Sequence, residues 1–381
     1  MSCALTGLDS NTRRLNSTMT RRRHRTDARA YVAAVRRRCW LRSSAPLLGP
    51  DVERELISRC GRRSTAFESD MRRSARDCGP LDQNRARPLS HRPLGAFTPA
   101  LEHAVAVTAW YEAQLTVLHV FSASLPLIPA DALAAAPELA DPIEPDKMLD
   151  EVRRFCVPSL STLTRPAEFL VKDGNVPHEI VAEAKQLAVD LIVMGTHARK
   201  GIQRLLLGSV AERVLRTAHL PVLAVPPAER TAPITYERIL CPIEFHESEP
   251  RALEYVLSMV LPFMKGVSPR SKKPGARLIL LHVVENLFEQ LPEYFSVHER
   301  EAMERLKRAV AADARDWCRP EPRVTAGRAD TEILRVAAEL GSDLIVMAVH
   351  GKGAINRRLY RSTTSRVIRG ATCPVLTLCA E

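Results

Sequence analysis

Residues 191–197 read LIVMGTH and residues 344–350 read LIVMAVH, so one short apolar run followed by a histidine occurs twice in the chain. Four consecutive apolar residues in each copy predict a strand that is buried on both faces. Such strands are typical of a parallel sheet that is covered by helices. The two runs lie 153 residues apart, which points to an internal duplication.

The duplication extends in both directions from these runs. The tripeptide PVL occurs at 221–223 and at 374–376, again 153 residues apart. The tripeptide LHV occurs at 118–120 and at 281–283, and the larger offset of 163 is explained by a ten-residue polar insertion at 266–275. Insertions of this kind belong in surface loops. Two copies of one domain are therefore expected.

Each copy alternates short apolar strands with amphipathic helical segments, which predicts a doubly wound α/β fold with right-handed crossovers. We predict two mainly parallel five-stranded sheets in tandem, in domains at 96–227 and 237–381. In the second copy the predicted strands are 238–245, 277–284, 323–326, 344–349 and 374–378. The predicted helices there are 248–264, 298–318, 330–341 and 363–371.

The first 95 residues differ in composition from the rest of the chain. They contain 21 Arg, no Lys and nine acidic residues, a net charge of +12, whereas the whole chain carries +11. No helical or alternating apolar period persists in them, which predicts a disordered Arg-rich segment. A basic arm that binds nucleic acid or acidic partners, a solvated tail, a mitochondrial transit peptide and a non-native translation all stay open.

Bulk composition argues against several classes of protein. No apolar run approaches the roughly 18 residues that a membrane-spanning helix needs, so no membrane partner is expected. The nine cysteines form no CxxC pair and no metal-ligand spacing with histidine. This pattern favours a reducing compartment and a cytoplasmic location. The rest of the chain is nearly neutral, which argues against nucleic acid as its partner.

A candidate binding site follows the first apolar run. In an open α/β sheet, ligands bind beyond the carboxyl ends of the strands, where the strand order reverses. Gly195 ends this strand, and a loop through His197 leads to Gly208 and Ser209, which open the next helix. A glycine lets a ligand approach the backbone, and a helix N-terminus offers unpaired N–H groups to a phosphate.

The stretch GTHA, nine residues, then GS resembles the Gly-x2-Gly-x9-Gly-Ser/Thr signature of ATP-binding universal stress proteins. The resemblance covers about residues 97–381. Because the last strands of this family commonly pair across a dimer, it implies that the two strands that carry PVL pair as an intrachain pseudo-dimer, and a homodimer stays open. The resemblance also implies ATP, with or without Mg²⁺, bound across strands one, two and four, and no established turnover chemistry. The residues that would face the ribose and phosphates are Gly195, Ala198, Gly208, Ser209 and the amide of Val210, and His197 in the same loop is a further candidate for binding the nucleotide. Val120 would lie near the adenine, and Ala198 departs from the family's glycine, which weakens binding or is tolerated.

Structural interpretations compete with these roles. Ser209 and Glu212 have the spacing of a capping box, which stabilises a helix without any ligand. His197 has no partnered acid or nucleophile, so a solvated loop histidine is the alternative to a ligand contact. His119 and His282, at strand ends, are interpreted as structural histidines.

The second copy departs much further from the signature. Its corresponding positions are Ala348, Gly351, Arg361 and Ser362, so two of the three glycines are replaced. Arg361 is expected to put a long side chain where phosphate would meet the helix start. Glu244 stands where the family usually has an aspartate at the end of strand one. We expect a second copy that has lost ATP and serves as a structural, dimerising half, although an arginine can itself hold an anion.

The first copy is predicted to lack its own first strand. The matching stretch at 86–93 reads ARPLSHRP, and its two prolines and two arginines make a poor central strand. In the family this strand lies in the middle of the sheet and supplies the acid that faces the nucleotide. The simplest cause is a frame error near residue 97. The first copy would keep the phosphate half of the pocket without the adenine half and bind ATP weakly, if at all.

Three functions compete. The first is an adenine-nucleotide-binding regulator of the stress response, and the second is a scaffold of the same fold that acts through protein partners. The third is an ATP-consuming enzyme of related architecture, which needs a phosphate loop directly after the first strand. No such loop is visible after Phe245 or before Leu101. No catalytic residue is predicted, and slow ATP hydrolysis is the most that is expected.

Overall fold

The computed structural model is an α/β architecture in which helices pack on both faces of one large sheet. It describes residues 30–36, 97–122, 144–196, 207–227, 233–245, 277–285, 292–309, 318–350 and 356–380. Among these residues, no helix combines the length and the apolar character that crossing a membrane requires.

The described residues form ten strands and seven helices. The strands are β1 (Ala30–Arg36), β2 (Gln114–Phe121), β3 (Glu168–Asp173), β4 (Leu191–Gly195), β5 (Val222–Val225), β6 (Arg238–Pro242), β7 (Arg277–Val284), β8 (Arg319–Ala326), β9 (Leu344–His350) and β10 (Val375–Ala380). The helices are α1 (Thr98–Tyr111), α2 (Pro145–Cys156), α3 (Val176–Gln186), α4 (Ser209–Thr217), α5 (Pro292–Ala309), α6 (Ala329–Glu339) and α7 (Asn356–Gly370). The predicted helix at 248–264 lies outside the described residues.

The ten strands form a single sheet in the order β3-β2-β1-β4-β5-β10-β9-β6-β7-β8. The second half of this order mirrors the first, as duplication predicts. The halves meet where β5 pairs antiparallel with β10, with Leu223 opposite Leu376. The hydroxyl of Thr377 also donates to the carbonyl oxygen of Val222 at 3.2 Å. The predicted α/β fold and the predicted pairing of the two PVL strands are both confirmed.

An unexpected strand lies in the middle of the first half. β1 is inserted between β2 and β4 and is antiparallel to both, with Ala33 opposite Val117 on one side and Val193 on the other. In the second half the matching position is held by β6, which is parallel to both of its neighbours. The central strand of the first half therefore comes from the N-terminal segment and runs in the opposite direction.

β1 corrects the prediction that the N-terminal segment is disordered, as far as these seven residues are concerned. Val32, Ala33, Ala34 and Val35 are all buried, and alternate residues join the cores on opposite faces of the sheet. A central strand needs small or β-branched apolar side chains on both faces, and a backbone ladder forms in either direction. The weak candidate at 86–93 lies outside the described residues.

Each face of the sheet carries a hydrophobic core that runs through both halves. Leu223 and Leu376 are buried side by side on one face, and Val222 and Val375 are buried on the other. Burying apolar surface stabilises a fold by about 25 cal/mol per Å². Separating β5 from β10 would expose both cores at once, so the two halves form one structural unit.

Tyr236, just before β6, anchors the second half in the first. Its side chain is fully buried, and its hydroxyl lies 2.6 Å from Nδ1 of the buried His103 on α1. The two rings stack with centroids 5.7 Å apart, and the edge of Trp110 meets Tyr236 at 5.5 Å. Buried polar groups need such partners. The segment that leads into the second half is thus part of the packing around α1.

Candidate functional site

A backbone hydrogen bond ties the end of β4 to the start of α4. The amide of Gly208 donates to the carbonyl oxygen of Thr196 at 2.9 Å. Thr196 is buried, and its amide and hydroxyl donate to the carbonyl oxygen of Val225 in β5 at 3.0 and 3.4 Å. We call these three residues, Thr196, Gly208 and Val225, the neck. The neck holds the start of α4 beside the carboxyl ends of β4 and β5. Sequence reasoning missed Thr196, and the available signal was its place directly after Gly195.

Gly208 makes a close steric contact at the neck. Its φ of −59° is open to any residue, so no left-handed conformation demands a glycine. A Cβ at this position would lie only 3.2 Å from the carbonyl oxygen of Thr196. A side chain would therefore strain the contact between α4 and the end of β4. The close contact at Gly208 is thus with the chain's own backbone at Thr196.

The first turn of α4 is open as far as the described residues show. Gly208 is the N-cap, no side chain among the described residues caps the helix, and Ser209 is its first residue. The predicted capping box is therefore wrong, because Ser209 lies inside the helix and the amide of Glu212 donates to the carbonyl oxygen of Gly208 at 2.9 Å. Within the described ranges, the amides of Ser209 and Val210 have no acceptor. Two N–H groups, one exposed hydroxyl and the positive end of the helix dipole are available to an anion.

Val120 lies at the same edge of the sheet, two strands away from β4. It pairs with Ala30 of β1, and Val32 of β1 pairs with Met194. Because neighbouring strands are about 4.8 Å apart, Val120 and Gly195 are separated by roughly 10 Å. Val120 is fully buried, and its backbone is paired with Ala30 on one side and Lys172 on the other. Its place near an adenine stays a prediction.

The loop between the neck residues falls outside the part of the chain that the structure describes. His197 and Ala198 belong to it, so their predicted contacts stay predictions. Gly195 is the last residue of β4 and pairs with Val225. Of the predicted set, the structure brings Gly195, Gly208 and Ser209 together around the neck and places Val120 across β1 from them.

The fourth strand of the second half ends later than its counterpart. Ala348 takes the place of Gly195, and β9 continues two residues past it to His350, which pairs with Ala380. Gly351, the one retained glycine of the signature, lies outside the described residues. The paired part of the strand is therefore two residues longer in the second half than in the first.

The helix that follows begins earlier than its counterpart. α7 starts at Asn356, so Arg361 and Ser362 are its sixth and seventh residues. The prediction that Arg361 stands at the helix start is therefore wrong. Inside a helix the amide of Ser362 is used by the bond to the carbonyl four residues earlier. The second half lacks a free first turn at the position that corresponds to Ser209.

The residues that follow β6, the first strand of the second half, are also described. The Ile243 amide donates to the carbonyl oxygen of Leu281 at 2.7 Å, and Nδ1 of His282 lies 2.9 Å from the carbonyl oxygen of Ile243. The Phe245 ring contacts the His282 ring with centroids 4.6 Å apart, and the Arg305 guanidinium carbon lies 4.1 Å from the Phe245 centroid. Burial lowers the pKa of His282, so the neutral ring donates its Nδ1 proton to Ile243.

The described residues offer little catalytic chemistry. Burial raises the pKa of the Cys156 and Cys241 thiols to about 12, so both are protonated and unreactive at neutral pH. Within the described ranges, no cluster of three or more His, Cys, Asp or Glu side chains could hold a metal ion. The neck and the first turn of α4 can hold an anion.

Comparisons with known proteins agree on one family. The sequence model of the Universal stress protein family matches residues 96–226 and 235–378. The chain is similar to universal stress protein A homolog 2 of Coxiella burnetii, 34% identical over 139 residues, 36% of this chain and 87% of that protein. It is 55% identical to a universal stress protein of Methanocaldococcus jannaschii over 53 residues, 14% of this chain and 31% of that protein. A crystal structure of a universal stress protein from Archaeoglobus fulgidus aligns with 76% of this chain and 93% of its own at 19% identity, with a TM-score of 0.48.

The doubly wound sheet with helices on both faces defines the class of the protein as α/β. The family model matches the chain twice, and the two matches together cover well over half of it. The chain belongs to the universal stress protein family and carries two copies of the family's domain in tandem.

Proposed function

We propose that this universal stress protein binds an adenine nucleotide through its first half and acts as a regulator of the stress response. The observation that carries the proposal is the open first turn of α4. There Gly208 is bound to Thr196 at the end of β4, and the amides of Ser209 and Val210 face no acceptor within the described residues. A phosphate is the ligand that such a helix start favours.

The adenine side of the site supports only weak binding. The family resemblance places an acid there, at the carboxyl end of the central strand. In this chain β1 is antiparallel, so its first residue, Ala30, stands at that edge opposite Val120. An alanine supplies neither a carboxylate nor a hydrogen bond from its side chain. Affinity therefore comes mainly from the phosphates, and we expect ATP to bind more tightly than AMP, and AMP more tightly than adenosine.

Ser209→Pro in the full chain is the sharpest test. Proline is favoured at the first helical position, and Gly208 already has φ −59° and ψ 139°, a conformation compatible with a following proline. The substitution removes one amide donor and one hydroxyl without breaking α4. Because a hydrogen bond to a charged group contributes about 1.5–3 kcal/mol, isothermal titration with MgATP should show an affinity at least about tenfold lower.

Ser209→Ala separates the hydroxyl from the amide and should weaken MgATP binding less than Ser209→Pro. The matched control is Ser362→Ala, at the corresponding position inside α7, which should leave the affinity unchanged. Wild-type affinity for MgATP in Ser209→Pro would remove the α4 start from the site. A larger loss in Ser362→Ala than in Ser209→Ala would assign the nucleotide to the second half.

A scaffold that binds no nucleotide is the second candidate. The antiparallel β1 favours it, because this strand replaces the acid-bearing edge that the family resemblance leads one to expect. Thermal unfolding with and without MgATP decides between the two. A ligand at 100 times its dissociation constant should add about 2.7 kcal/mol of stability. No change in melting temperature at millimolar MgATP would favour the scaffold.

A further inference from the structure

Phe245 lies where the second half would be expected to hold a ligand. In the second half the strand order reverses at β6, which pairs with β7 on one side and β9 on the other. The carboxyl edge at such a reversal is the usual ligand position in a doubly wound sheet. β6 ends at Pro242, and Phe245 follows three residues later with its ring packed against the core.

Two side chains, His282 and Arg305, contact the ring of Phe245. His282 on β7 is held by the carbonyl oxygen of Ile243 at 2.9 Å, and its ring centroid lies 4.6 Å from that of Phe245. The guanidinium of Arg305 on α5 lies over the Phe245 ring at 4.1 Å, a cation–π arrangement. Within the described residues Arg305 forms no ion pair, so its charge faces the aromatic ring.

We propose that His282 and Arg305 form a slot for a planar aromatic ring, and that Phe245 occupies this slot from within the chain and closes the edge to purines. An electron-rich ring face is what the guanidinium recognises, and a purine has one. The inference deepens the proposed function, because it explains why nucleotide binding is confined to the first half. Its geometry does not depend on whether the first half binds ATP.

The test removes the internal ring and offers a free one. Phe245→Ala in the full chain should bind indole and adenosine, each at one site more than the wild type, measured by isothermal titration. Phe245→Leu keeps the slot filled without an aromatic face and should gain no site. Phe245→Ala combined with Arg305→Gln should bind both probes at least about tenfold more weakly than Phe245→Ala. Phe245→Val serves if the alanine variant melts too low to study.

The outcomes separate this inference from the proposed function. If the wild type binds no nucleotide and Phe245→Ala still gains the two probes, the slot stands and the proposed function fails. If a folded Phe245→Ala or Phe245→Val variant gains neither probe, the slot is refuted. A gain of indole without adenosine would refute the part that concerns purines. A gain that survives Arg305→Gln undiminished would refute the recognition by the guanidinium.

Discussion

In the first half, the fourth strand stops at Gly195 and a new helix starts at Ser209; in the second half, the strand runs on to His350 and the helix has already begun at Asn356. Both edges follow the same LIVM run, so the buried strand does not dictate what comes after it. The difference follows from Gly208, the N-cap of α4, whose counterpart Arg361 is a good helix former. The core preserves the fold, while the carboxyl edges are free to diverge.

The two equivalent serines offer the largest expected effect. In Ser362→Pro the proline falls in the interior of α7, where it removes a backbone hydrogen bond and clashes with the preceding turn, a cost of about 3 kcal/mol or more. In Ser209→Pro it falls at the first position of α4, and stability should stay within about 0.5 kcal/mol of the wild type. Thermal and denaturant unfolding of the two variants measures the contrast.

Either of two results would contradict the helix boundaries given for α4 and α7. Equal losses would show that α4 extends further toward its N-terminus than Ser209. Equal tolerance would show that α7 begins later than Asn356. Alanine at both positions is the control, because it tests loss of the hydroxyl without any backbone restriction.

The second prediction concerns the stability that the contact between Tyr236 in the second half and His103 in the first half contributes. Tyr236→Phe removes the hydroxyl that lies 2.6 Å from Nδ1 of the buried His103. Losing this buried hydrogen bond costs about 0.5–1.5 kcal/mol, so the free energy of unfolding should fall by that amount. A double-mutant cycle with His103→Leu isolates the pair. A coupling energy near zero would show that Tyr236 contributes through packing alone.

Most of the fold could be predicted from the sequence because its signals are local and repeated. The apolar runs at 191–194 and 344–347 are buried strands, and the PVL tripeptides mark β5 and β10. Their pairing could be predicted from the family resemblance, because the last strands of universal stress proteins commonly pair across a dimer. The neck of the candidate site could be placed for the same reason, since Gly195 and Gly208 lie next to recognisable elements.

The position of β1 and the start of α7 depend on interactions with distant parts of the chain, and a local sequence pattern does not reveal these. β1 is a seven-residue strand in Arg-rich surroundings, and its partners begin 78 residues further along the chain at Gln114. This segment forms a strand because it fills the gap between β2 and β4 and pairs with both. The start of α7 was misplaced because it was inferred by analogy with Ser209. Without a glycine at position 361, the helix continues toward its N-terminus to Asn356.

The third prediction compares Thr196 at the neck with its counterpart in the second half, Val349. Thr196→Val introduces the residue that the second half has at position 349 and removes the hydroxyl bond of 3.4 Å to Val225. The backbone bonds of Thr196 stay, so the loss should be about 0.5–1 kcal/mol. Thr217→Val is the matched control, because its hydroxyl also bonds a backbone carbonyl but is exposed. A loss in the control as large as in Thr196→Val would show that the buried hydroxyl has no special role at the neck.

The smallest expected effect concerns His282, the counterpart of His119, and its sign can be worked out. Burial lowers the pKa of His282 below its ordinary value of 6.5, so the folded chain keeps this ring neutral where the unfolded chain binds a proton. Stability must therefore rise with pH across the window between the two pKa values and be lost as the pH falls below about 6.5. His282→Gln keeps a donor for the carbonyl oxygen of Ile243 and removes the titration, so the melting temperature should fall less than in the wild type between about pH 7 and about pH 5. Replacing the exposed His178 by glutamine controls for the loss of one histidine. An unchanged pH dependence in His282→Gln would show that this ring has the same pKa in the folded and unfolded chains, so that its burial adds nothing to the pH dependence of stability.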